Sequence, residues 1–121
     1  MILVDASLWI ELVRRGHARL QRVLEAEVIV THEFVLGELA LGQLRKGSDV
    51  LATMAALPRL ALASHDEVLM AIEKYELRGS GIGWVDAHLI ASCLIGGVRL
   101  WTLDRTLVRT LEGQGLLYEN G

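Results

Sequence analysis

One cysteine, one proline and one phenylalanine stand in a chain of 121 residues. With Cys93 alone, no disulfide forms within the chain, and the expected setting is a reducing cytoplasm. With Pro58 alone, few points forbid helix or strand, and a proline-rich linker is excluded. No low-complexity stretch or repeat occurs, so the expectation is a single domain over 1–121. There is no basic excess: 12 Lys and Arg stand against 15 Asp and Glu, for a net charge of −3. A polyanion, if bound, must meet a local basic patch or bridging metal ions. No apolar run is long enough for a membrane span of about 20 residues. The N-terminal Ile2-Leu3-Val4-Asp5 lacks the basic start of a signal peptide, so the expectation is a soluble, cytoplasmic protein.

What is present is apolar bulk, at 52% hydrophobic residues with a mean hydropathy of +0.38. A domain of this size buries roughly two-thirds of its unfolded surface, so it folds without staples. The excess suits either a compact α/β domain or a partner face.

Periodicity predicts strands over 2–5, 28–31, 60–63 and 99–103, with an edge strand over 116–118. Helices are predicted over 6–15, around Leu20, Val23 and Leu24, and over 33–46 with Gly47 as stop. Further helices are predicted over 49–57, 65–78, 84–95 and 106–112. In the helix over 65–78, Val68, Leu69 and Ile72 are expected inward. Strands alternating with helices indicate an α/β fold around a parallel sheet.

Asp5 and Asp104 each end a strand and begin a helix, so either alone reads as an N-cap. Strand carboxyl ends are also where open parallel sheets bind ligands. Glu38 falls among Phe34, Val35, Leu41 and Gly42 at helical spacing, which places it in an apolar stripe. Asp86 precedes Leu89, Ile90 and Cys93 in the same way, and also suits the positive end of its helix. A carboxylate on an apolar face needs a partner. No Lys or Arg shares either stripe. A shared cation is the expected solution for Asp5, Glu38, Asp86 and Asp104, and oxygen-only ligation selects Mg2+ or Mn2+. Zinc is disfavoured, because His17, His32, His65 and His88 show no ligand spacing. Ser7 and Thr102, each two residues from an aspartate, are supporting candidates.

Four blocks now stand in order: Ile2-Leu3-Val4-Asp5-Ala6-Ser7, Phe34-Val35-Leu36-Gly37-Glu38-Leu39, Val85-Asp86-Ala87-His88-Leu89-Ile90-Ala91 and Leu100-Trp101-Thr102-Leu103-Asp104. Together they resemble the PIN-domain family, and their spacing resembles its VapC type, the toxin half of toxin–antitoxin pairs. The sequence departs from the family pattern at His88 and in lacking an aromatic after the last acidic block. Neither departure touches a matched carboxylate.

The resemblance implies a three-layer α/β/α sandwich with a central parallel sheet of four or five strands. It implies a Mg2+- or Mn2+-dependent endoribonuclease acting on structured RNA, in tRNA or rRNA loops. Asp5, Glu38, Asp86 and Asp104 would then bind metal, and one of them would accept the attacking water's proton. A cognate antitoxin and a homodimer are the implied partners. RNA would be held by Arg14, Arg15, Arg19, Arg22 and Arg78, with Arg45, Lys46 and Arg105 as further candidates. Trp9, Trp84 and Trp101 read mostly as core, with Trp84 the best placed to stack on a base. The competing reading is a catalytically weak PIN-like module that docks a protein partner. A third, phosphoryl transfer at Asp5, would want a second Asp in place of Ser7.

Overall fold

The computed structural model describes residues 1–42 and 49–119. Its centre is β1 (Ile2–Val4), flanked by β2 (Ile29–Val30) and β3 (Arg99–Trp101). Both pairings are parallel, in the order β2-β1-β3, with Leu3 opposite Val30 and Leu100. All three residues of β1 are buried, so both faces of the strand are covered. That is why Ile2-Leu3-Val4 is continuously apolar rather than alternating.

Each strand runs at its carboxyl end into a helix. β1 leads into α1 (Ala6–Arg15), and α2 (Ala18–Ala26) precedes β2. β2 leads through Thr31 and His32 into α3 (Glu33–Leu41), while β3 leads into α7 (Arg105–Leu111). Between them lie α4 (Asp49–Ala55), α5 (His65–Lys74) and α6 (Trp84–Gly96). α5 packs along α6, and α6 against β3. α6 ends at Gly97, whose φ of 65° is the left-handed conformation that closes a helix. No helix of the described residues is long and apolar enough to cross a membrane.

The sheet is smaller than the four or five strands expected. Among the described residues it has three. The segment 60–63 is not a strand. Just before it Arg59 makes one parallel bridge with Thr31, framed by the Thr31 N–H to the Pro58 carbonyl (2.8 Å) and the Leu60 N–H to the Thr31 carbonyl (2.9 Å). Pro58 has no N–H with which to extend a ladder, and Ala61 and Leu62 turn out to solvent. The segment 116–118 likewise makes one bridge, Leu117 with Leu100. Gly113 and Gly115, at φ of 78°, turn the chain just before it and leave room for little more.

Helix ends differ in smaller ways. α3 stops at Leu41, because Gly42 caps it with an N–H to the Glu38 carbonyl. Arg45, Lys46 and the expected stop at Gly47 lie outside the described residues. α5 stops at Lys74 rather than at residue 78, and its Leu69 is exposed while Ala71 is buried. α5 also begins with a reciprocal Ser64–Glu67 capping box, legible as Ser-x-x-Glu before an apolar run. Cys93 is buried in α6, and burial pushes its thiol up to about 12, so it is chemically quiet.

Candidate active site

A cavity of about 470 Å³ opens at the carboxyl edge of the sheet, lined by Asp5, Ser7, Glu38, Trp84, Asp86 and Asp104 among others. Asp5 arrives at the end of β1, Glu38 on α3, Asp86 in the first turn of α6 and Asp104 at the start of α7. Residues up to 99 positions apart in sequence thus face one space, because parallel strands deliver their carboxyl ends to the same edge.

Asp5 is the most buried of the four, at 6% exposure. It occupies the N-cap position of α1 but makes no capping bond with its side chain. Instead Thr102 Oγ1 donates to Asp5 Oδ2 at 2.7 Å, and Ser7 Oγ donates to the same oxygen at 3.0 Å. Both hydroxyls are themselves anchored. The Asp104 N–H donates to Thr102 Oγ1, and the Leu103 N–H donates to Ser7 Oγ, each at 3.0 Å. Among the described residues, Asp5 Oδ1 takes no hydrogen bond. One carboxylate oxygen is locked and the other is available to a ligand.

Asp104 is a true cap. Its Oδ1 accepts from the N–H groups of Thr106 (2.9 Å) and Leu107 (3.1 Å). Its other oxygen has no protein partner among the described residues. Asp86 is half-buried, and its carboxyl is pushed up to about 6 by burial first, then by the charges of Asp5, Glu38 and Asp104. The helix terminus would favour its charged form; burial and crowding outweigh that. Glu38 is also raised, by partial loss of water around its carboxyl at the cavity wall and then by the charge of Asp5.

Glu38 lies elsewhere than its helical spacing predicts. Its expected place inside an apolar stripe is not what forms, since α3 buries only Val35 and Leu39. Leu41 is 91% exposed, and Glu38 itself is open to solvent. Glu38 stands at the cavity rim, one step round the helix from the core face.

No cation neutralises this group among the described residues. The ion pairs there are Arg15 with Glu11 (3.7 Å) and Arg59 with Glu33 (3.9 Å). None of the arginines expected to hold RNA lines the acidic cavity. Arg14, Arg15 and Arg22 are exposed on α1 and α2. The Arg19 guanidinium lies over the Trp101 ring at 5.0 Å and near Tyr118, a packing role that sequence spacing did not announce. Arg78 is exposed and lines a neighbouring cavity with Gly83 and Trp84. His88, far from a ligand role, packs edge-on against Phe34 (4.9 Å) and Trp84 (5.0 Å). His32 is fully buried, caps α3 through Nδ1 and meets Ser92 through Nε2 at 3.0 Å, with burial holding it below the usual histidine range.

The model of the PIN domain matches residues 2–112, spanning all four acidic positions. The chain belongs to the PIN-domain family. This PIN domain is 44% identical over 117 residues to Ribonuclease VapC32 of Mycobacterium tuberculosis, covering 96% of this chain and 94% of that protein. That likeness places it with the VapC type. Among solved structures it resembles FitAcB from Neisseria gonorrhoeae, with a TM-score of 0.67, 17% identity and coverage of 91% and 92% of the two chains. It also resembles VapC20 of Mycobacterium tuberculosis, a sarcin-ricin loop cleaving toxin, with a TM-score of 0.59, 23% identity and coverage of 90% and 95%. These two likenesses show the PIN fold alone.

The locked oxygen of Asp5 makes a direct prediction. Thr102→Val removes a hydroxyl bonded to a buried carboxylate and orphans the Asp104 N–H. A loss of about 2 kcal/mol is expected in urea unfolding. Thr102→Ser, which keeps the hydroxyl, should recover most of it. Equal stability for the valine variant and wild type would show that the bond holds nothing.

Proposed function

We propose that this PIN domain is a Mg2+- or Mn2+-dependent endoribonuclease, the toxin of a type II toxin–antitoxin pair. The observation that carries the reading is the set of four carboxylates lining one cavity without a counter-cation, in a chain closely similar to a ribonuclease. The donors fit a hard divalent ion, since all are oxygens and each of the four acidic residues keeps at least one oxygen without a protein partner among the described residues. Among those residues, no group of three or more His, Cys, Asp or Glu side chains forms a ready-made metal cage.

Asp5, Glu38, Asp86 and Asp104 would hold the ion, directly or through water. Such an ion supplies charge neutralisation at a phosphodiester and acidifies water. The chain's own groups do the rest. Ser7 and Thr102 fix the Asp5 carboxylate, so its free oxygen does not reorient as the site fills. Asp86, whose carboxyl is pushed up to about 6 by burial and its neighbouring carboxylates, would give up its residual proton as the site is loaded. Structured RNA, in tRNA or rRNA loops, is the proposed substrate class, in keeping with the 44% identity to a ribonuclease.

A cognate antitoxin and a second copy of the chain are the proposed partners. Exposed Leu41, Leu69 and Met70 supply apolar surface for such contacts. A single cytoplasmic domain with helices on both faces of the sheet completes the reading. Total RNA incubated with the purified chain should be cut at discrete positions with Mn2+ or Mg2+ and spared in excess EDTA. Cutting that persists undiminished in EDTA would overturn the metal-dependent reading.

A further inference from the structure

The wall between two cavities is a tryptophan that the carboxylate chemistry does not use. Trp84 is 45% exposed, whereas Trp9 and Trp101 are buried. Its ring is supported from within by His88, edge-on at 5.0 Å, and by His65 at 5.3 Å. His88 is in turn packed on Phe34. The indole is therefore held in place while much of its surface meets water. Such a placement suits a surface that a planar partner covers.

Trp84 and Gly83 line the acidic cavity and also a second one of about 250 Å³. The second cavity has the opposite character. Its other walls are Ile72, Leu77, Ile82, Ala87, Gly79 and Arg78, with no acidic residue. Arg78 is exposed and has no ion pair among the described residues. An aromatic shelf, apolar walls and one free guanidinium beside a carboxylate cluster match the parts of a nucleotide: a flat base and an anionic phosphate.

We propose that Trp84 and this second cavity hold an unpaired nucleobase adjoining the phosphate cut in the acidic cavity, with Arg78 on a flanking phosphate. This rests on the ribonuclease reading and sharpens it. A base stacked inside a duplex cannot reach such a shelf, so the preferred substrate is a single-stranded loop with a splayed base. Trp84 is thus a substrate-positioning residue, with no part in bond cleavage.

The test uses the full chain in excess EDTA with uridine and adenosine homo-oligonucleotides, and an RNA duplex of the same length. Single strands should quench tryptophan emission saturably, and the duplex should not. Trp84→Ala should weaken single-strand binding roughly ten-fold or more and abolish the quench. Trp84→Phe should restore most of the binding, which a folding defect would not explain. Arg78→Ala should reduce the salt dependence by about one phosphate contact. With Mn2+ present, Trp84→Ala should raise KM and leave kcat nearly unchanged. Wild-type affinity for single strands in Trp84→Ala, or equal quenching by duplex, would overturn the proposal. Cleavage by wild type with Trp84 variants unaffected sinks the base site alone. Binding and quenching without any cleavage sink the ribonuclease reading and leave the base site standing.

Discussion

Asp86→Asn is expected to abolish RNA cleavage, by about 100-fold or more, while making the metal-free chain more stable at pH 7. The two effects have one cause. The Asp86 carboxyl sits at about 6, against an ordinary value of 3.8, because burial and three neighbouring carboxylates oppose its charge. In the folded chain it therefore keeps a proton that the unfolded chain releases. Folded stability from this group is fully present below pH 4, declines as pH rises to about 6, and is flat above. By pH 7 the charged form disfavours folding by on the order of 2 kcal/mol after allowance for solvent screening. Asparagine keeps the shape and removes the charge. The variant should unfold at higher urea than wild type at pH 7 without metal, and at about the same urea at pH 4. The slope of stability between those values should become shallower, with a remainder from Glu38, whose carboxyl is raised in the same direction. Equal pH profiles for the two chains would remove the electrostatic account of the site.

A divalent ion should act on the same strain from the other side. Mn2+ bound at the cavity compensates the repulsion and binds only the folded chain, so it raises the unfolding temperature with concentration. Protons compete for the same oxygens, so the rise should be larger at pH 7 than at pH 5, and binding should release protons near pH 6. At a concentration one hundred-fold above Kd the stabilisation is expected to be about 2.7 kcal/mol. In Asp86→Asn it should shrink sharply. A pH-independent shift that survives this substitution would place the ion elsewhere.

Much of this site was legible in the sequence, but not for every reason first apparent. The strand-then-helix pattern around Asp5 and Asp104 located the carboxyl edge correctly, because short apolar runs before helical spacing leave little choice in an α/β chain. Burial departs from helical spacing at two of the four. Asp5 looks like a simple cap yet is 6% exposed and bonded by residues 2 and 97 positions away. Glu38 looks buried yet stands at the rim, because its helix buries only a narrow face. Spacing within one helix cannot reveal which flank the neighbouring elements leave uncovered. The same blindness hid the bond from Thr102 to Asp5, which exists only once β1 and β3 lie side by side. The outer strands failed for a different reason. The segments 60–63 and 116–118 have strand-like composition, but the first pairs only next to it, at Arg59 after Pro58, and the second at Leu117 alone. Charge alone puts Arg19 with RNA, while the aromatic pair that receives it comes from β3 and the C-terminal segment.

Asp5, Glu38, Asp86 and Asp104 are proposed to share one divalent ion. Calorimetric titration of Mn2+ into the wild-type chain at pH 7, beside Asp5→Asn, Glu38→Gln, Asp86→Asn and Asp104→Asn, measures that sharing directly. Saturable binding in wild type, weakened about ten-fold or more by each substitution, is the predicted result. Absence of binding in wild type, or undiminished binding after Asp5 and Asp86 are neutralised, would contradict it.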